Sequence, residues 1–177
     1  MRAVWRYFLC LMFACCLLLS ARAQSRREPL NAVEIDQLRD AAQQPAARIK
    51  LFIEFARARL TALEQVRNDP KVTDRSQQTH DKLQNLLDVY DELNDNIDTF
   101  VERKADLRKP LKSVIEADAE FGVKLRALKS SIGANPSEAQ KDEFLLNNAI
   151  EAIDGGAQDH RQLLAQQEEA AKHRKKK

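Results

Sequence analysis

Outside residues 1–23, three histidines carry the side chains best suited to bind a metal or move a proton near neutral pH: His80, His160 and His173. A helical di-metal site needs Glu-x-x-His pairs on facing helices. Ala157 stands at that spacing before His160 and Gln77 before His80, so neither histidine has the carboxylate. His160 falls on or beside an apolar helical stripe and is read as a polar seam or solvent-facing residue. The chain has no Asp/Asn-rich calcium loop, no Gly-x-Ser-x-Gly, no glycine-rich phosphate loop and no Ser or Thr beside an obvious base. Four glycines, two of them adjacent, cannot build the close backbone approaches that nucleotide sites use. The sequence therefore predicts no catalytic residue, no cofactor, no metal and no small-molecule substrate.

Charge is the other chemistry on offer. Asp81, Asp88, Asp91, Glu92, Asp95, Asp98 and Glu102 make an acidic strip, read as a solvated face or as a dock for a cation or basic partner. Arg103, Lys104, Arg108, Lys109 and Lys112 follow, then Glu116, Asp118 and Glu120. Such blocks set register between neighbouring helices. The tail is the sharpest local feature: Lys172, Arg174, Lys175, Lys176 and Lys177 surround His173 and are the candidate interaction residues. They suit the negative end of a helix macrodipole and offer contact with an anionic surface; the alternative is a solubilising tail. The tail lacks aromatics for base stacking, and no nucleic acid partner is expected.

Residues 1–23 predict export. Arg2 and Arg6 precede a mostly apolar run from Tyr7 to Leu19, and Ala21-Arg22-Ala23 offers a cleavage site before Gln24. The run is too short for the ~20 residues of a spanning helix. The expected location is the periplasm; a lipoprotein or an N-terminally anchored form is the alternative. As a lipobox, Met12-Phe13-Ala14-Cys15 places bulky Phe13 where a small residue is wanted. All three cysteines lie in this segment, so the mature chain holds no thiol for disulfides or metals. It also takes three of the 29 basic residues and none of the 27 acidic, leaving 26 against 27. That near-neutral balance removes any global charge argument for nucleic acid.

The elements that must position these groups are all helical. Few glycines and only six aromatics beyond residue 23, with about a third of the chain charged, fit long helices sharing narrow seams. A leader spans 24–30, a helical bundle domain 31–172 and the basic tail 173–177. Asn31-x-x-Glu34 has capping-box spacing and predicts a short helix over 31–42. Pro45 opens a second helix carrying Ile49, Phe52, Ile53, Ala56, Leu60 and Leu63 to about Asn68. Leu86, Leu93, Phe100, Leu107, Val114, Phe121 and Leu128 then recur every seven residues, interleaved with Leu83, Tyr90, Ile97, Lys104, Leu111, Asp118 and Leu125. Only Lys104 and Asp118 interrupt this heptad seam with a polar side chain. Pro110 lies inside it, and because the phase is kept across it, the sequence predicts one helix over 75–131 kinked near Pro110. Gly133 and Asn135-Pro136-x-Glu138 separate it from a last helix to about Lys172. A turn centred near 134 would put Gly155 and Gly156 opposite Ser113 and Lys112, bending both arms together. The predicted fold is all-α: an elongated helical hairpin or three-helix bundle with a coiled-coil-like seam, kinked near Pro110.

Leu60-Thr61-Ala62-Leu63-Glu64-Gln65 resembles the L-T-x-x-Q motif of small helical periplasmic stress chaperones, with Glu64 at the place of the Gln and no second copy. The resemblance covers six residues and implies a cradle for unfolded clients. Two functions are therefore carried forward. The first is a non-enzymatic structural or interaction module of the bacterial envelope, binding a protein partner or itself through the seam. The second is a periplasmic holdase chaperone.

Overall fold

The computed structural model describes residues 28–132 and 136–175, the side chains of 136–141 and 174–175 apart. The export segment, the first residues of the leader, the Gly133 cap and the Asn135 start signal lie outside the described residues. Among the described residues five helices follow in order: α1 (Ala32–Asp40), α2 (Pro45–Asn68), α3 (Arg75–Glu102), α4 (Arg108–Ile132) and α5 (Pro136–Lys175). No strand occurs among the described residues.

The local signals act as their chemistry dictates. Asn31 accepts from the Glu34 N–H at 3.0 Å while Glu34 accepts from the Asn31 N–H at 2.9 Å, completing the capping box of α1. Pro45 occupies the first turn of α2, where a missing N–H leaves no hydrogen bond unmade.

The single kinked helix expected over 75–131 is two helices. The chain leaves α3 at Glu102 and re-enters helix at Arg108. Lys104 takes a left-handed φ of 57°. The Ala105 N–H reaches back to Phe100 O at 3.0 Å and the Lys104 N–H to Val101 O at 2.8 Å. This pair of bonds is a Schellman stop, built on lysine where glycine is usual. Pro110 then falls in the first turn of α4, where its absent N–H has no intrahelical partner to lose. Gln167 of α5 closes the junction, accepting from the Leu107 N–H at 2.8 Å and donating to Ala105 O at 3.2 Å.

Four long helices therefore replace the three expected. α2 with α3, and α4 with α5, are antiparallel hairpins, tied by Arg48–Asn96 and Arg59–Asn85 in one and by Lys112–Glu168 and Arg126–Asp154 in the other. The hairpins dock with α2 beside α4 and α3 beside α5, while the α3 and α4 backbones stay apart on a diagonal of the bundle. The 103–107 segment is thus a diagonal crossing. The register of α4 on α5 also differs from one centred on residue 134: Lys112 meets Glu168, three turns beyond Gly156. Arg126–Asp154 lies in the same register as Lys112–Glu168.

Both heptad series point into one core. Leu83, Leu86, Tyr90, Leu93, Ile97 and Phe100 from α3 meet Leu111, Val114, Phe121 and Leu125 from α4, with Phe52, Leu60 and Leu63 of α2 and Leu146 and Ile153 of α5. Each such side chain contributes about 1.5–3 kcal/mol on burial. Apart from Lys104 and half-buried Leu128, the members of the seam are buried within this one chain.

Candidate functional site

Midway along the bundle the apolar core is interrupted by a polar layer. Asp118 of α4 is 2 % exposed, Tyr90 of α3 is 0 % and His160 of α5 is 4 %. The Tyr90 hydroxyl donates to Asp118 Oδ1 at 2.8 Å, and Asp118 Oδ2 lies 2.8 Å from His160 Nδ1. The two rings meet edge to face, centroids 6.5 Å apart. A buried carboxyl costs stability unless its oxygens are hydrogen-bonded, and here each oxygen has a partner on a different helix. Burial first, then the charge and hydrogen bond of Asp118, push the Tyr90 phenol far above its ordinary pKa, so it stays a donor at all physiological pH.

Gly156 makes the layer fit. A Cβ there would stand 2.2 Å from the Tyr90 hydroxyl oxygen and 3.0 Å from its ring carbon Cζ. The expected facing of this glycine to Lys112 is therefore replaced by a close approach to Tyr90, and α5 runs unbroken through both glycines. Gly155 differs: an added Cβ would meet nothing within 4 Å.

His160 and Gly156 also line a groove of about 560 Å³ between α3 and α5. Its apolar surface comes from the partly buried Val101, Ala152 and Leu163, over the buried Ile97, and its charge from Asp98, Glu151 and Asp159; no basic Lys or Arg lines it. The side-chain oxygen of Asn94, at the same groove, is buried without a hydrogen-bond partner. The acidic strip on α3 continues the negative field. Burial and then the neighbouring Asp88, Asp95 and Glu92 raise the Asp91 carboxyl above its ordinary pKa. With Nδ1 of His160 engaged by Asp118, Nε2 is the ring nitrogen left for a ligand. A His–Asp couple of this kind orients an imidazole for acid–base work, yet no Ser, Thr, Cys or Lys lines the groove to be activated. The arrangement can recognise: it offers carboxylates beside an apolar surface.

A second polar cluster pins α1 to the bundle. Arg59 donates to both Glu34 oxygens, at 2.7 and 2.6 Å, and also to Asn85 and to Pro29 O. Burial pushes the Glu34 carboxyl up, but the hydrogen bonds from Arg59 and Asn31 and the Arg59 charge outweigh it and hold the pKa below its ordinary value.

The candidate tail residues lie elsewhere. Lys172 is exposed and pairs with Glu169 at 3.2 Å; His173 Nε2 reaches the same carboxylate at 3.1 Å. Arg174 and Lys175 close α5, and Lys176 and Lys177 lie outside the described residues. The tail end of α5 passes the diagonal crossing, where Lys104, Arg108, Gln167 and Ala171 share a shallow cleft, and it is not brought to the groove. His80 is exposed. Among the described residues no group of three His, Cys, Asp or Glu side chains is placed to hold a metal ion, and no helix is long and apolar enough to cross a membrane.

No family model, curated protein or solved structure matches the chain. Its site must be read from its own residues. Sequence reasoning treated Tyr90, Asp118 and His160 singly and missed their bonding. The available signal was that Tyr90 and Asp118 stand equally far, fourteen residues, on either side of Lys104.

Proposed function

We propose that this chain is an exported helical interaction module of the bacterial envelope that binds a protein partner, and that the groove between α3 and α5 is its contact surface. The observation that carries the reading is the groove itself. It sets Asp98, Glu151 and Asp159 beside Val101, Ala152 and Leu163 on a bundle whose heptad residues are used in its own core. Mixed apolar and single-sign polar surface is the chemistry of protein recognition. Export rests on residues 1–23, and a mature N-terminus at Gln24 in the periplasmic fraction is the expected result.

Cross-linking a tagged mature chain, residues 24–177, in its host envelope tests the reading. One or two proteins retained at fixed stoichiometry would support an adaptor or structural subunit. A broad set of unrelated exported proteins would support the holdase function instead.

A further inference from the structure

We infer that the α3–α5 groove is a docking site for a short amphipathic helix of a partner protein, presenting Lys or Arg beside Leu- or Ile-type side chains. This rests on the reading of the groove as a contact surface and adds the chemistry of what it takes.

Three features decide the occupant. The first is charge: the lining carboxylates Asp98, Glu151 and Asp159 meet no lining Lys or Arg, and the field is reinforced by Asp91 and Asp95 further along α3. A positive partner would therefore be steered in, and an acidic peptide or an anionic bilayer repelled. The second is the apolar surface of the partly buried Val101, Ala152 and Leu163, which a purely polar cation would leave in water. The third is backbone chemistry. Both walls are helices, whose N–H and C=O groups are already paired within α3 and α5. An extended peptide would find no edge to complete its hydrogen bonds here, whereas a helix brings its own. The groove runs from residue 151 to 163 of α5. That is about 18 Å, or about three helical turns. Gly155 leaves the α5 backbone bare there, which lets the incoming helix approach closely.

The same glycine supplies the test. Gly155→Leu would fill the groove from a position where an added Cβ touches nothing, and it replaces a helix-weakening residue by a helix former. The probes are two fluorescein-labelled 14-residue helical peptides with identical Leu positions, one with Lys and one with Glu at the polar positions. The Lys peptide is expected to bind the mature protein saturably at one site, and the Glu peptide not. Binding is expected to weaken by roughly tenfold or more in Asp98→Asn/Glu151→Gln/Asp159→Asn and in high salt. Gly155→Leu is expected to lose it by a similar factor with no fall in melting temperature. Equal binding of both peptides, or undiminished binding by Gly155→Leu, overturns the inference. So does spermine binding as tightly as the Lys peptide, which would mark a small-polyamine site. The two readings fail separately. A wild-type chain that retains no partner in the envelope sinks the interaction reading. A partner held equally by wild type and Gly155→Leu sinks the groove assignment.

Discussion

Gly156 of α5 stands against the Tyr90 hydroxyl so closely that a methyl group between them would sit 2.2 Å from the oxygen. One glycine thereby admits the ring that completes the buried polar layer, while its neighbour Gly155 faces open space. Adjacent residues of one type have opposite reasons to be glycine.

The two positions are expected to respond with opposite signs to the same change. Gly155→Ala gains helix propensity alone and should stabilise by about 1 kcal/mol. Gly156→Ala gains the same propensity but forces a fully buried ring to move; overpacking of this kind costs about 1–3 kcal/mol, so the net effect is a loss. Urea midpoints of the two variants decide it.

Removing the Tyr90 hydroxyl deletes one hydrogen bond to Asp118, and Tyr90→Phe should cost about 1–3 kcal/mol. Asp118→Ala strands both the phenol and His160 Nδ1 and should cost about 3 kcal/mol or more. Replacing the whole layer, Tyr90→Phe/Asp118→Leu/His160→Leu, should return stability to within about 1 kcal/mol of wild type. A triple variant as weak as Asp118→Ala would mean that these side chains do more than satisfy one another.

Acid stability should depend on Glu34 and Asp91 in opposite directions. Glu34 has its folded-state pKa below its ordinary 4.5, so its contribution is present above that value and is lost as pH falls through the depressed one. Glu34→Gln should therefore lower stability at neutral pH and flatten the acid limb. Asp91 has its pKa raised above 3.8, so it opposes folding once both states are ionised and is relieved as pH falls. Asp91→Asn should stabilise at neutral pH and not in acid. Urea unfolding from about pH 7 to about pH 3 reads both.

Lys104 holds a left-handed conformation that costs a side-chain-bearing residue about 1–2 kcal/mol. Lys104→Gly should recover part of this, about 0.5–1 kcal/mol after the added freedom of the unfolded chain. Thermal unfolding of the variant, with helicity unchanged, is the check.

What the sequence made legible follows from how local each signal was. The Asn31–Glu34 box and Pro45 are single-turn devices, and α1 and α2 start where they say. The break between α3 and α4 was hidden because its stop is built on Lys104, a residue that gives no sign of a left-handed position. The heptad phase masked it further, since the crossing from Phe100 to Leu107 consumes one full repeat. A reversal centred on Lys104 pairs Ile97 with Leu111, Tyr90 with Asp118 and Leu83 with Leu125, each pair buried. The two polar interruptions of the seam were therefore of different kinds: one is the turn, the other the partner of a tyrosine that reads as apolar. His160 could not be placed in the layer without the α4–α5 register, which depends on contacts made across the bundle.

The diagonal crossing also has a kinetic consequence. α2 with α3 and α4 with α5 each meet their partner nearby in the chain, so each hairpin gathers its contacts at small loop-closure cost. The expected slow event is the docking of the two arms, and the bond from Tyr90 to Asp118 joins residues of different arms. That bond is expected to form in the last stage of assembly. A chain lacking the Tyr90 hydroxyl should collapse at the normal rate and fall apart faster, with the lost stability appearing in unfolding.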